Sequence, residues 1–458
     1  MTRTIFQGFA ALALVVSPAL ATERGPLRAG AARVDVSPTT DMLPMVAGQT
    51  FADVHDPLNV RALVLDNGST KVALLSIDTA SLPNSDDIVK AVSEELKIPA
   101  AYLTMSSTHD HNTPTFGAGR GGKYDPAPYN ALLKKGILEA ARQANARLQP
   151  ARIGFATGKA YVNTNRDEKI GDAYRMGYAP EGSSDKTVAV MKVTTPAGDP
   201  IAVWSNYAVH GVVMFLSKTR DGQAEITGDI GGATSNYVED RMKGRMNEVV
   251  ALWTPGAAGD QNPLFMSTYN QDAPDVHDEG AAGWAILDVQ ARRLGQEVVR
   301  VAKSIQNTTD KVVLWGATTS VTCPGQKRAD PAPAATAPTG ASPTSFTPSG
   351  ATVRMVDGDP VTIPLGLVMI NDIALASVSG EVFNEIGQHL KKDSLFDRTV
   401  MVTLSPGRIG YIPTDKAYLL PAAMAVNNRL KPGCAEPAIV DAFVNLEKQY
   451  LPIWKATN

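Results

Sequence analysis

Residues 101–111 read AYLTMSSTHDH, a short apolar run that stops abruptly in small hydroxyl residues and then two imidazoles, His109 and His111. A run of this length, bounded by polar residues, suits a buried strand emptying into a loop. The same design recurs along the chain. Lys71–Ile77 runs into Asp78-Thr79-Ala80, and Pro200–Trp204 into a loop ending at His210. Val249–Trp253 runs into TPGAAGD (254–260), Ile373–Val378 into Ser379-Gly380-Glu381, and Thr399–Leu404 into the segment Ser405–Tyr411. Between these runs lie helical patterns at Asp86–Leu96, Pro128–Ala146, Gly231–Met246, Gly283–Ile305 and Val382–Leu390. Strands alternating with helices predict an α/β fold of layered, mixed β-sheets flanked by helices.

The composition fits a globular chain and narrows its partners. Of 458 residues, 43 are basic and 46 acidic, giving a net charge of −3 with no basic block. Such a chain lacks the electrostatic footprint for a phosphate backbone, so nucleic acid is not expected as a partner. Met1–Ala21 carries Arg3, an apolar run at 10–16 and the small-residue end Ala19-Leu20-Ala21, the layout of a cleaved signal peptide. A periplasmic or secreted protein comprising residues 22–458 follows, with no transmembrane segment. Cys323 and Cys434 are the only cysteines; an oxidising compartment permits a bridge between them, and the sequence leaves their pairing open, as it does the oligomeric state. Apart from Asp330 and Phe346, residues 329–350 collapse to Ala, Pro, Thr, Ser and Gly. They read as a flexible insertion within one large domain, because candidate site residues fall on both sides of it.

In layered α/β proteins, ligands gather outside the carboxyl ends of strands. His109 and His111 stand two apart at one strand end, a spacing that in extended backbone points both rings to one face. His210, Glu381 and Tyr411 end other runs. Imidazoles, a carboxylate and a phenol form a nitrogen and oxygen set suited to zinc. His55, His277 and His389 read as ordinary solvated side chains. The turn at Gly256–Gly259 lacks the Lys and Ser/Thr of a phosphate-binding loop and is read as a close backbone approach to the site.

The order of motifs resembles the neutral/alkaline ceramidase family of zinc-dependent amide hydrolases. It runs through ARVDVSP (32–38), HDPLNVRALVLD (55–66), THDH (108–111) and NTNR (163–166). NYAVH (206–210), Gly228-Asp229, GAAGDQNP (256–263), Gly380-Glu381 and GYIPT (410–414) follow in family order. The resemblance implies that His109, His210, Glu381 and Tyr411 hold one Zn2+. It places His111 beside the metal as a proton-transfer or oxyanion-stabilising group, and Arg166 against a polar or anionic part of the substrate. Three features depart from the family. Asn262 stands where ceramidases carry an active-centre serine, the stretch Leu419–Asn427 lacks a second site tyrosine, and residues 412–458 leave no room for the family's C-terminal β-sandwich. The reading is therefore a catalytic domain alone, a zinc-dependent hydrolase cleaving an amide (N-acyl) bond of a small-molecule or lipid-like acyl substrate other than ceramide by zinc-activated water. An esterase, lactonase or phosphoesterase on the same metal site, or a non-catalytic binding protein of the same fold, is the alternative.

Overall fold

The computed structural model describes residues 23–47, 49–82, 84–114, 125–171, 173–244, 248–268, 277–329, 355–420 and 428–457. The signal-peptide segment and, apart from Ala329, the 329–350 insertion lie outside the described residues. Three mixed sheets carry the architecture. In the first, strands run in the order Leu103–Ser107, Lys71–Ile77, Asn59–Asp66, Arg28–Asp35, Gln149–Pro150. The second orders Val250–Pro255, Pro200–Tyr207, Thr187–Thr194, Arg152–Lys159, and the third Leu314–Arg328, Met355–Ile370, Ile373–Val378, Arg398–Thr403.

Each of these sheets is antiparallel except for one parallel pair at its edge: Lys71–Ile77 with Leu103–Ser107, Pro200–Tyr207 with Val250–Pro255, and Ile373–Val378 with Arg398–Thr403. Parallel neighbours need a crossover, and a helix supplies it each time. Helix α1 (Ser85–Leu96) joins the first pair, and α2 (Ala127–Ala146) covers that sheet. Helix α3 (Asp229–Arg241) crosses over in the second sheet, where it packs with α4 (Gly283–Ser304). Helix α5 (Asn384–Asp393) crosses over in the third, with α6 (Ala435–Thr457) against it. These six helices and the several sheets form one large α/β domain. Because all three parallel pairs are central to the chain's layout, the carboxyl ends of six strands define where loops converge.

The helices follow from periodicity. Helix α1 buries Ile88, Val92 and Leu96, one face at four-residue spacing, with Asp86 and Asp87 in the first turn opposing the helix dipole. Helix α4 buries Leu287, Ala291, Leu294 and Val298 in the same way. Several boundaries differ from the sequence reading; the helix expected at Val382–Leu390 spans Asn384–Asp393, because Glu381–Val382 pairs as a short strand with Tyr411–Ile412. The helix expected at Gly231–Met246 spans Asp229–Arg241, because the Asp229 carboxylate accepts from the Ile230 amide at its start and Gly244 lies just past its end. The strand expected from Ala101 begins at Leu103, since Ala100–Tyr102 coils into a 3-10 turn first. The strands Leu314–Arg328 and Met355–Ile370 form a long antiparallel ladder closing at Arg328↔Met355, so the low-complexity segment joins two paired strands of one sheet. Cys323, on the first of those strands, is disulfide-bonded to Cys434 just ahead of α6.

Candidate metal centre

The first sheet delivers His109 and His111. His109 follows the strand end with φ +66°, a left-handed conformation that costs a residue with a Cβ about 1–3 kcal/mol and concentrates at functional sites. Its amide donates to the Thr79 carbonyl, and Asp110 bridges to Gly211 of the second sheet's loop. The His111 amide donates to the Gly211 carbonyl, which places His111 beside His210. The third sheet delivers Glu381, whose amide donates to the Gly410 carbonyl, in parallel register with Tyr411. The Gly-rich turn closes this floor. The Gly259 amide donates to the Val382 carbonyl, and a Cβ on Gly259 would stand 2.5 Å from the Glu381 carbonyl oxygen, so only glycine allows the approach.

These strand ends bring His109, His111, His210 and Glu381 together in one cluster, with His111 half-buried and the others buried. The Glu381 Oε2 lies 3.1 Å from His109 Nε2 and 3.2 Å from His210 Nε2. His111 Nε2 lies 3.3 Å from His109 Nε2. Ring nitrogens of His109, His111 and His210 fall within 4.8 Å of one another. Backbone carbonyls fix the tautomers: His109 Nδ1 donates to Ala80 O at 2.8 Å and His210 Nδ1 to Gln261 O at 3.0 Å. With Nδ1 committed, each ring turns its Nε2 toward Glu381 Oε2. Burial, with the Arg166 guanidinium and His109, holds His210 down to about 3, so it is neutral. Burial likewise drives His111 well below its usual value, reinforced by His109 and His210. Burial would raise Glu381, but His109, His210 and Arg408 outweigh it and keep the carboxylate ionised.

With both rings neutral, two lone pairs and a carboxylate oxygen face one another. That arrangement is repulsive unless a cation sits among them. The separations of 3.1–3.3 Å match the edge of a tetrahedron built on metal bonds of about 2.0–2.1 Å, roughly 3.3 Å. The donor set fits a zinc ion, and a His111 ring nitrogen stands within 4.8 Å of the His109 and His210 ring nitrogens.

Around this core, Arg166 is buried. It donates from Nη1 to Asn262 Oδ1 at 3.3 Å, approaches His210 Nε2 at 3.4 Å and lies over the Tyr411 ring at 5.2 Å. Its Nε has no hydrogen-bond partner among the described residues. Burial pushes the Tyr411 phenol up to about 12 against the opposing pull of Arg166. Asn262 sits on the short strand Gln261–Pro263, opposite Thr164 in the ladder that also carries Arg166. Asp260, pushed up to about 7 by burial, braces the site: its carboxylate accepts from the Asn384 amide and from Asn165 Nδ2.

One residue at the site was not singled out by the sequence. Arg408 donates through Nε to Glu381 Oε1, and its side chain is 43% exposed. The available signal was a basic residue between two glycines directly after a strand, in PGRIG (406–410). His55, read as solvated, is exposed and stacks on Trp284 with ring centres 3.6 Å apart. His277 and His389 pair with Glu279 and Glu436 at the surface.

A family model for the neutral/alkaline non-lysosomal ceramidase N-terminal region matches residues 45–280. Among solved structures, the neutral ceramidase from Pseudomonas aeruginosa aligns over 93% of this chain and 75% of that one, with TM-score 0.68 at 16% identity. A ceramidase complexed with C2 aligns over 93% and 76%, with TM-score 0.69 at 15% identity. The folds are shared, and with the family model spanning more than half of its residues, this chain belongs to the neutral/alkaline ceramidase family.

Proposed function

We propose that the protein is an exported, zinc-dependent hydrolase of an amide (N-acyl) bond in a small-molecule or lipid-like substrate other than ceramide. The observation that carries this reading is the placement of Glu381 Oε2 at 3.1 and 3.2 Å from two imidazole nitrogens whose other nitrogens are committed to backbone carbonyls. His109, His210 and Glu381 would hold the ion, with Tyr411 beside them in register with Glu381. A zinc ion there supplies a water of pKa about 7 and polarises an acyl oxygen.

The chain's own residues supply the rest. His111 is neutral and adjacent, so it accepts a proton from the attacking water; the burial that lowers its basicity makes its protonated form a ready donor to the leaving amine nitrogen. Arg166, with an unsatisfied buried Nε, is a donor for a polar substrate oxygen. Asn262 cannot become an acyl-enzyme but carries an amide that can donate to the developing oxyanion. Its replacement of the family's serine supports a substrate other than ceramide. Export is supported by the Met1–Ala21 segment and by the Cys323–Cys434 bridge, a bond of oxidising compartments. No helix among the described residues is long and apolar enough to cross a membrane.

The test is a panel of matched N-acyl amides and esters, assayed with the protein as purified, after chelation and after zinc is returned. The proposal expects amide cleavage that vanishes on chelation and returns with zinc. Ester cleavage alone, or amide cleavage indifferent to chelation, would overturn it.

A further inference from the structure

Arg408 is held in place by an arrangement built for it. The segment Ser405–Gly410 follows strand Arg398–Thr403 and turns at two left-handed glycines, Gly407 (φ +80°) and Gly410 (φ +110°). It is stitched to the neighbouring crossover from both ends: the Ser405 amide donates to Val378 O and the Ile409 amide to Ser379 O, while Gly410 O accepts from the Glu381 amide. The loop's main chain is therefore fixed where Arg408 reaches Glu381.

The two carboxylate oxygens of Glu381 are then divided. Oε2 faces His109 and His210, and Oε1 accepts from Arg408 Nε. Only Nε is used. The terminal Nη1 and Nη2 groups, the edge of the guanidinium that binds a carboxylate bidentately, have no hydrogen-bond partner among the described residues, on a side chain that is 43% exposed. The guanidinium charge acts on His111 and Tyr411 as well as on Glu381. Arg166 is buried over the Tyr411 ring and approaches His210, so a second fixed positive charge stands beside the same cluster. A neutral amide gains nothing from a second, solvent-facing guanidinium one carboxylate's width from the reacting centre. An anionic one does.

Resting on the amide-hydrolase reading above, we propose that Arg408 is a specificity-determining residue whose free Nη edge receives a substrate carboxylate. The substrates are then N-acyl amines bearing that carboxylate a few bonds from the scissile carbonyl, as in an N-acyl amino acid.

The experiment compares N-lauroylglycine with its neutral counterpart N-lauroylglycinamide on the zinc-loaded protein, by initial rates and by calorimetric binding. The parent prefers the acid. Arg408→Ala lowers the acid-to-amide ratio of kcat/KM by about 10- to 100-fold, the value of one charge-assisted pair, through KM of the acid. Arg408→Lys, which keeps the charge without the fork, falls between. Any loss transmitted through Glu381 strikes both compounds alike and cancels in the ratio. In the parent alone, raising salt narrows the ratio, since the guanidinium is half exposed. If neither compound is hydrolysed but the acid still binds more tightly than the amide, and only while Arg408 is present, the carboxylate site stands and the amidase reading falls. Equal handling of acid and amide by the parent, or an unchanged ratio in Arg408→Ala, overturns the inference.

Discussion

Replacing Glu381 by Gln separates the metal-holding role of this residue from its packing. The carboxylate is 2% exposed, with Oε2 between the Nε2 atoms of His109 and His210 and Oε1 on Arg408. At a pH where both imidazoles are neutral, and without a cation, the three inner atoms are all acceptors. A Gln amide turned with its NH2 inward supplies two N–H donors to the two Nε2 lone pairs, and its carbonyl still accepts from Arg408. Two neutral hydrogen bonds contribute about 2 kcal/mol, and weakening the Arg408 bond from charge-assisted to neutral costs about 1 kcal/mol. Metal-free Glu381→Gln is therefore as stable as the metal-free parent or more stable by about 1 kcal/mol, a rise in Tm of about 1–3 °C. Zinc reverses the order. The parent gains about 4 kcal/mol at a thousandfold excess over Kd, whereas the variant gains little because its NH2 group occupies the lone pairs. Differential scanning fluorimetry with chelator and with zinc reads both. A variant less stable than the parent in chelator, or one that zinc stabilises as strongly as the parent, would refute the reasoning.

Further outcomes follow from the same geometry. His111→Ala retains zinc while turnover falls by about 10²–10⁴, read by metal analysis beside initial rates; loss of metal would make His111 a ligand. Asn262→Ala, zinc intact, loses about 10²–10³ in kcat, and hydrolysis in ¹⁸O-labelled water gives no acyl adduct by mass spectrometry. Arg61→Met destabilises by about 3–5 kcal/mol in chemical denaturation, because Asp78 and Glu239 are left buried without their shared cation. Reducing Cys323–Cys434, which closes a loop of sequence separation 111, lowers stability by up to about 4–5 kcal/mol on the chain-entropy account.

The strand ends at Ile77-Asp78 and Val378-Ser379 were legible because each apolar run stops at a polar residue, whereas the runs read to Trp204 and Trp253 continue as strand to Tyr207 and Pro255. Pairing partners were not, since nothing local says that Val250–Pro255 lies parallel to Pro200–Tyr207 across an intervening helix. Glu381 and Tyr411 could be placed only through their family motifs; on spacing alone a glutamate after Gly380 is unremarkable, and its proximity to His109 is set by three sheets meeting. The HDPLNVR motif shows the opposite case. Its residues bear on packing: Asp56 accepts from Thr227 and Gly228 ahead of α3, and Arg61 bonds to Asp78, Glu239 and Asn236. A motif's position in the chain does not distinguish a buried ion hub from a site residue. Helix α6 was not singled out, although Ile439, Phe443, Leu446 and Tyr450 keep helical spacing.

The account turns on one ion at the meeting point of three strand ends. Anomalous diffraction at the zinc edge, from crystals of the chelated and then zinc-reconstituted protein, tests this most directly. The account predicts a single strong peak bonded to Nε2 of His109, Nε2 of His210 and Oε2 of Glu381. A peak elsewhere, or none at saturating zinc, would contradict it.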